Sequence, residues 1–165
     1  VFLDGKRINA LDFNVWGVTF APDSDRFYAT LATGGHTYLV EGAISDRRLR
    51  VLRDGVECPS ISPDGRRIAF KKRVPGTTGV WRLHVMDVDS LEDRPLAEAR
   101  SVDDQAEWID NDTLAYALPR EGGPAAVTDV WAVPANGSGA PVLLLEDASS
   151  PSVVRAGPWA TFDLP

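Results

Sequence analysis

The sequence predicts an all-β fold of small four-stranded antiparallel blades stacked around a common axis, a β-propeller. Three observations carry that prediction. One segment, Cys58-Pro59-Ser60-Ile61-Ser62-Pro63-Asp64-Gly65-Arg66-Arg67-Ile68-Ala69-Phe70, returns upstream as Gly17-Val18-Thr19-Phe20-Ala21-Pro22-Asp23-Ser24-Asp25-Arg26-Phe27-Tyr28, and downstream as Ala106-Glu107-Trp108-Ile109-Asp110-Asn111-Asp112-Thr113-Leu114-Ala115-Tyr116. The return distance is 41 residues from Pro22 to Pro63 and 46 from Ile68 to Leu114, the spacing of four-stranded propeller units. Between the two strands of each segment stand turn-forming residues, so each copy reads as a hairpin.

Taken in chain order, each unit opens with a first strand that runs into the turn and a second strand that leaves it. Pro63 presets φ for the second position of the turn, Asp64 hydrogen-bonds its own backbone, and Gly65 takes a positive φ without steric cost. Asn111 occupies the Gly65 position in the third unit and tolerates the left-handed region. Ser24 occupies it in the first and tolerates that region less well, so a looser or longer turn is expected there. Third strands follow at Thr37–Val40, Val80–Leu83 and Asp129–Ala132, with an aromatic near each start, and Trp81 and Trp131 read as matched core positions. Fourth strands are expected at Leu49–Leu52, Arg94–Ala97 and Val142–Leu145. A single unit leaves an apolar face wet, so the units must stack face to face. Helical periodicity does not persist; Leu91–Val102 offers a turn of helix at most, interrupted by Pro95.

These segments resemble the TolB-like, WD-like β-propeller repeat, whose hallmark is Pro-x-x-Ser-Pro-Asp-Gly followed by an Ile-Ala-Phe-type strand. The match is nearly complete at Pro59–Phe70, good at Val18–Ala29 and degenerate at Ala106–Tyr116, where Ile109-Asp110-Asn111-Asp112 replaces Pro-Asp-Gly. Counting third and fourth strands, the likeness runs from about Val15 to Asp147. The structural turn positions are thus Pro22, Asp23, Pro63, Asp64, Gly65, Asp110 and Asn111.

The ends complete the count to about four blades' worth of chain in one propeller spanning 1–165. Whole units cover approximately 15–55, 56–99 and 100–149, with half-blades at 1–14 and 150–165. Val1–Asp4 and Arg7–Leu11 read as third and fourth strands, and Ser150–Val154 and Trp159–Phe162 as first and second. Two arrangements fit: a four-bladed ring closed by pairing the termini, which hides the sheet edges, or a section of a larger ring, six-bladed by the resemblance. The section is the preferred reading.

The composition suits a globular domain, with 44% hydrophobic and 25% charged residues. Fourteen glycines and twelve prolines fit many tight turns. A net charge of −7 and the lack of a Lys/Arg stripe argue against nucleic acid and against anionic membranes. Arg47-Arg48-x-Arg50 and Lys71-Lys72-Arg73 read as solvated surface. The longest apolar run, Val142–Leu145, is far too short to span a bilayer, and the lone Cys58 has no cysteine to pair with. Fourteen arginines against three lysines resemble high-GC bacterial coding.

Catalytic material is thin. His36 and His84 are the only histidines; His36 reads as a loop residue after Gly34-Gly35 and His84 as a strand residue with a satisfied ring. Gly137-Ser138-Gly139 lacks the strand-to-helix setting of a nucleophile elbow, and Cys58 reads as a small buried residue. Asp87-x-Asp89-x-x-Glu92-Asp93 lacks the glycine and distant glutamate of a calcium loop. No catalytic residue, metal ligand or cofactor site is therefore expected. The binding candidates are Trp16 and Trp108, on or near inner strands, and the acidic pair Asp103-Asp104, which together would form a partner-binding rim at the channel mouth.

The expected function is a non-catalytic protein- or peptide-binding propeller module. The resemblance implies a TolB-like role in the cell envelope, and hence a periplasmic or cell-envelope location in preference to the cytoplasm. The alternative is an accessory propeller gating substrate access in a larger serine peptidase of the prolyl-oligopeptidase type. A third class, a metal-dependent lyase or lactonase with ligands in the channel, needs histidines and carboxylates converging from several blades.

Overall fold

The computed structural model describes residues 2–3, 6–7, 13–122 and 127–154. Fourteen strands and no helix are found among them. Strands β1 (Phe2–Leu3) and β2 (Lys6–Arg7) form a small antiparallel hairpin, and the remaining twelve form three four-stranded antiparallel sheets. Blade 1 holds β3 (Phe13–Phe20), β4 (Arg26–Thr33), β5 (His36–Ala43) and β6 (Arg48–Asp54). Blade 2 holds β7 (Val56–Ile61), β8 (Arg67–Arg73), β9 (Trp81–Asp87) and β10 (Asp93–Pro95). Blade 3 holds β11 (Glu107–Trp108), β12 (Thr113–Pro119), β13 (Thr128–Pro134) and β14 (Val142–Leu145). Strand order within each sheet follows the chain, as hairpin connections require.

Alternation along the strands assigns each blade two apolar faces. The face of blade 1 bearing Tyr28, Leu39 and Leu52 joins Val56, Ile61, Ile68, Phe70 and Met86 of blade 2 in one buried cluster. The opposite face of blade 2, with Ala69, Leu83, Val85 and Leu96, joins Trp108, Leu114, Tyr116, Leu118 and Val133 of blade 3 in the next. The same strand positions thus make both interfaces, which is why the hydrophobic repeat carries the fold.

The inner strands share a second device. The β3–β4 register shifts between Trp16 and Thr19, and the β7–β8 register between Glu57 and Ser60. Gly17 (φ 59°) and Cys58 (φ 54°) hold the left-handed conformation at these equivalent bulges. A Cβ on Gly17 would stand 3.1 Å from the Cys58 Cα, so the bulges bring the inner strands of neighbouring blades close together. Cys58, a non-glycine in a costly conformation, donates its N–H to the buried Thr30 Oγ1 at 2.8 Å.

Several expectations are corrected. The turn at Ser24 is no looser than the one at Gly65: Ser24 N donates to Ala21 O at 2.9 Å and Gly65 N to Ser62 O at 2.9 Å, with φ of 59° and 73°. Asp23 holds the serine version in shape, its Oδ1 accepting the N–H groups of Asp25 and Arg26. Asn111 does not adopt positive φ, because the third turn closes from Ile109 to Thr113 and is one residue shorter than Ser62 to Arg67. Trp131 lies opposite Tyr116, and the blade 2 residue opposite the equivalent Phe70 is His84, not Trp81. Trp81 instead opens β9 opposite Arg73, whereas Trp131 is the fourth residue of β13. Leu91–Val102 contains β10 and no helix, and residues 151–154 form no strand. The paired first strand expected at 150–154 needs its neighbour at 159–162, which lies outside the described residues.

Candidate functional site

One rim of the stack gathers the β4–β5 and β8–β9 hairpins with the connectors that enter each new blade. Gly55 N donates to Thr37 O at 2.8 Å and Arg73 N to Gly55 O at 2.9 Å, which ties the connector between blades 1 and 2 to the hairpin strands on either side. At this rim the inner strands present Trp16, Glu57 and Cys58, and the connector into blade 3 presents Asp103, Asp104 and Gln105.

Lys71 organises the centre. Its side chain is buried, its ammonium hydrogen-bonds Asp103, and it stands 3.3 Å from Glu57. It also lies 4.8 Å from the Trp81 ring centroid, with Arg73 5.0 Å from the same ring. Burial pushes the Lys71 pKa down, but the hydrogen bond it donates to Asp103 and the nearby anions outweigh it and hold the pKa above its ordinary value. The expectation that Lys71-Lys72-Arg73 is a solvated basic cluster is corrected. Lys71 faces the blade 2–blade 3 interface because it follows Ala69 by two on β8, and Lys72 Nζ binds Asp93 at 2.8 Å.

Asp104 has a different task. Strand β11 pairs only with Leu114 and Ala115, so the inner edge of β12 runs on without a strand beside it. The Asp104 carboxylate accepts the Ala117 N–H there at 2.9 Å. A cleft of about 320 Å³ opens at this point, lined by Ser101, Asp103, Asp104, Thr128, Ser149 and Ser150 together with Ala117 and Pro119. Two carboxylates and four hydroxyls equip it to receive hydrogen-bond donors and positive charge.

The other candidates fall elsewhere. Trp108 is a correction: it is 1% exposed, its Nε1 donates to Ser60 O at 2.8 Å, and Arg67 lies over its ring. Its side chain is spent on the blade 2–blade 3 interface and offers no face to a ligand. Trp16 is half-buried and hydrogen-bonds the Cys58 sulfur, whose pKa burial pushes up. Such a thiol is protonated at neutral pH and a poor nucleophile. His84 Nδ1 lies 2.8 Å from Asp93 and its ring stacks on Phe70; burial holds its pKa below the ordinary value. His36 opens β5, exposed. The turn residues serve the frame: Asp64 Oδ1 accepts Arg66 N at 3.1 Å, Asp110 Oδ1 accepts Asp112 N at 2.7 Å, and Asn111 Oδ1 accepts Asp64 N at 3.0 Å across the blades. Among the described residues, no group of three or more His, Cys, Asp or Glu is placed to hold a metal ion.

Sequence reasoning missed two elements. One is the Glu57–Lys71–Asp103 cluster. The other is Glu98, buried between blades 2 and 3, where Arg100 binds it through two nitrogens and Tyr116 donates its hydroxyl. The period-2 position of Lys71 behind Ala69 was the one available signal for the first.

Three radially stacked, four-stranded blades joined by hairpins define the class: the chain is built as a β-propeller. The fold is more particularly that of TolB-like propellers. TolB from Acinetobacter baumannii superposes with a TM-score of 0.65 over 82% of this chain and 34% of TolB, at 18% identity. The β-propeller domain of the Trilobed protease from Pyrococcus furiosus, described as having an open velcro topology, gives 0.58 over 73% of this chain and 38% of that one, at 19% identity. The acylaminoacyl peptidase of Pyrococcus horikoshii gives 0.61 over 81% of this chain and 25% of the peptidase, at 17% identity. The chain therefore spans about a third of TolB and a quarter of the peptidase. No protein-family profile and no curated protein matches the sequence.

Proposed function

We propose that this propeller is a non-catalytic binding module that grips a protein or peptide at the rim cleft beside Asp103 and Asp104. The observation that carries the reading is the cleft itself: two carboxylates and four hydroxyls around about 320 Å³, on a chain of net charge −7. A cationic, extended segment suits those groups, since it brings both positive charge and backbone donors. The nearby titratable groups support binding over chemistry. Lys71 is neutralised by its carboxylates, and burial raises the Cys58 pKa and keeps its thiol protonated. A TolB-like cell-envelope role, and with it an extracytoplasmic location, is the finer form of the reading, supported by the likeness to TolB.

The test is a binding screen of the purified chain against peptides graded in charge, alongside Asp104→Asn. The asparagine oxygen still accepts the Ala117 N–H, so the frame is kept while the charge is lost. Cationic peptides should bind, more weakly as salt rises, and Asp104→Asn should weaken them about tenfold, a charge-assisted contact of about 1.4 kcal/mol. Indifference to peptide charge together with turnover of any substrate would refute the proposal.

A second reading is favoured by the likeness to acylaminoacyl peptidase: an accessory propeller gating a serine peptidase domain encoded elsewhere in a longer parent chain. The parent coding sequence decides it, since a G-x-S-x-G elbow several hundred residues away belongs to that reading alone.

A further inference from the structure

The two carboxylates of the rim cleft are held differently. Asp104 Oδ2 is taken by the Ala117 N–H, a bond that fixes the inner edge of β12. Asp103 lines the same cleft, and its side chain is 66% exposed. Its Oδ1 accepts a hydrogen bond from the Lys71 ammonium. Lys71 arrives from β8, inside the blade 2–blade 3 interface, with its side chain 8% exposed and the Trp81 ring beside it. One carboxylate of the cleft thus already carries a cation, supplied by the protein itself.

Lys71 has a second partner in the interior. Glu57 faces it across the β7–β8 ladder, and Glu57 Oε2 stands 3.3 Å from the ammonium with its side chain 13% exposed. A buried ammonium stripped of every carboxylate would be strongly destabilising. Lys71 would keep Glu57, so Asp103 can turn to a ligand at the cost of one charge-assisted hydrogen bond. Arg73 reaches Glu57 only at 3.9 Å and leaves it to Lys71.

We propose, on the reading of the cleft as a site for cationic segments, that Lys71 is its built-in competitor: it occupies Asp103 in place of a ligand's positive charge and so restrains binding. An arriving cation that reaches Asp103 stands close to the Lys71 ammonium, and like charges sharing one carboxylate repel in a partly buried site. The same contact selects among ligands. A small cation brings only charge, which Lys71 already supplies. An extended peptide also brings backbone N–H donors for the hydroxyl oxygens of Ser101 and Thr128 on the cleft wall. Those added bonds are what displace Lys71.

The experiment measures binding of a short Gly-Ser peptide carrying two lysines, by isothermal titration calorimetry. Lys71→Met alone strands Glu57, so the variant of choice is Glu57→Gln/Lys71→Met, which removes the buried pair together. Far-UV circular dichroism with thermal melting checks its fold. The double variant should bind the peptide about tenfold more tightly than the parent chain. Adding Asp103→Asn should abolish that gain, because the released carboxylate is then gone. The parent chain offers a second measurement that needs no substitution. It has three lysines, and NMR of their ε-carbons should show the Lys71 signal move on saturation with peptide while the Lys72 signal, held by Asp93, stays. A double variant that binds no more tightly than the parent chain overturns the proposal and leaves the cleft reading standing. So does a gain that survives Asp103→Asn, or a Lys71 signal indifferent to bound peptide. A peptide that binds neither the parent chain nor the double variant removes both.

Discussion

The two internal interfaces use the same strand positions but different chemistry. Between blades 1 and 2 the contact is largely aliphatic, built on Leu39, Leu52, Val56, Ile61 and Ile68 around Tyr28 and Phe70. Its polar links are light: Thr30 Oγ1 and Thr19 Oγ1 accept the N–H groups of Cys58 and Ile61, and Arg53 reaches Asp93 at 3.3 Å. Between blades 2 and 3 the contact is aromatic and ionic. Trp108 and Tyr116 fill it, Glu98 is buried under Arg100, and Arg100 stacks 4.0 Å from the Trp131 ring centroid. The inner strands explain the contrast. Strand β3 has eight residues and β7 six, but β11 has two. A blade with so short an inner strand has less backbone to lay against its neighbour, and large side chains and buried ion pairs fill the space.

The sharpest way to break the comparison is to remove one large side chain from each interface. Trp108→Ala should destabilise the chain by about 4 kcal/mol, combining a large cavity with a lost hydrogen bond to Ser60. Leu39→Ala on the other interface should cost about 3 kcal/mol. Urea midpoints at unchanged m-value report both, and equal losses would erase the distinction drawn here.

A smaller effect separates the ionic interface from the aliphatic one by pH. Burial alone would raise the Glu98 pKa, but the donors on Arg100 and Tyr116 outweigh it and hold the carboxyl below its ordinary 4.5. A depressed carboxylate contributes stability that is fully present above the unfolded value and lost as pH falls through the folded one. The acid limb of the stability profile below about pH 4.5 should therefore be shallower in Glu98→Gln. At neutral pH that variant should lose about 2 kcal/mol. This is less than a fully buried broken pair would cost, because Arg100 retains some contact with water. Arg53→Met at the other interface should lose about 1 kcal/mol.

The turns add two effects of opposite sign, the second of them the smallest. Gly65→Ala forces a side chain into φ 73° and sets its Cβ 2.8 Å from Pro22 Cδ, which should cost about 2 kcal/mol. Ser24→Gly relieves the same backbone strain in blade 1 at some cost in unfolded-state entropy, for a net gain of about 0.5 kcal/mol. Thermal melts of the two variants should move in opposite directions.

The blades were legible because their signals are local. Pro63-Asp64-Gly65 encodes a hairpin within six residues, and alternation around Ile68–Phe70 encodes which side chains are buried. The candidate site was legible only at Asp103 and Asp104, where two adjacent carboxylates on a connector stand out by type. Trp108 misled because an aromatic on an inner strand looks the same in sequence whether it faces the axis or the neighbouring blade. Lys71 misled because its neighbours Lys72 and Arg73 made it look like part of a surface run.

The amino-acid order alone settled the strands, the turns and the need for radial stacking, since each follows from backbone preference and period-2 burial over a few residues. Tertiary structure alone decided which charges are buried and which tryptophan is spent on packing. Those depend on groups brought together from separate strands and connectors, as Lys71 and Asp103 are across 32 residues of chain. Such distances leave no periodic trace in the chain.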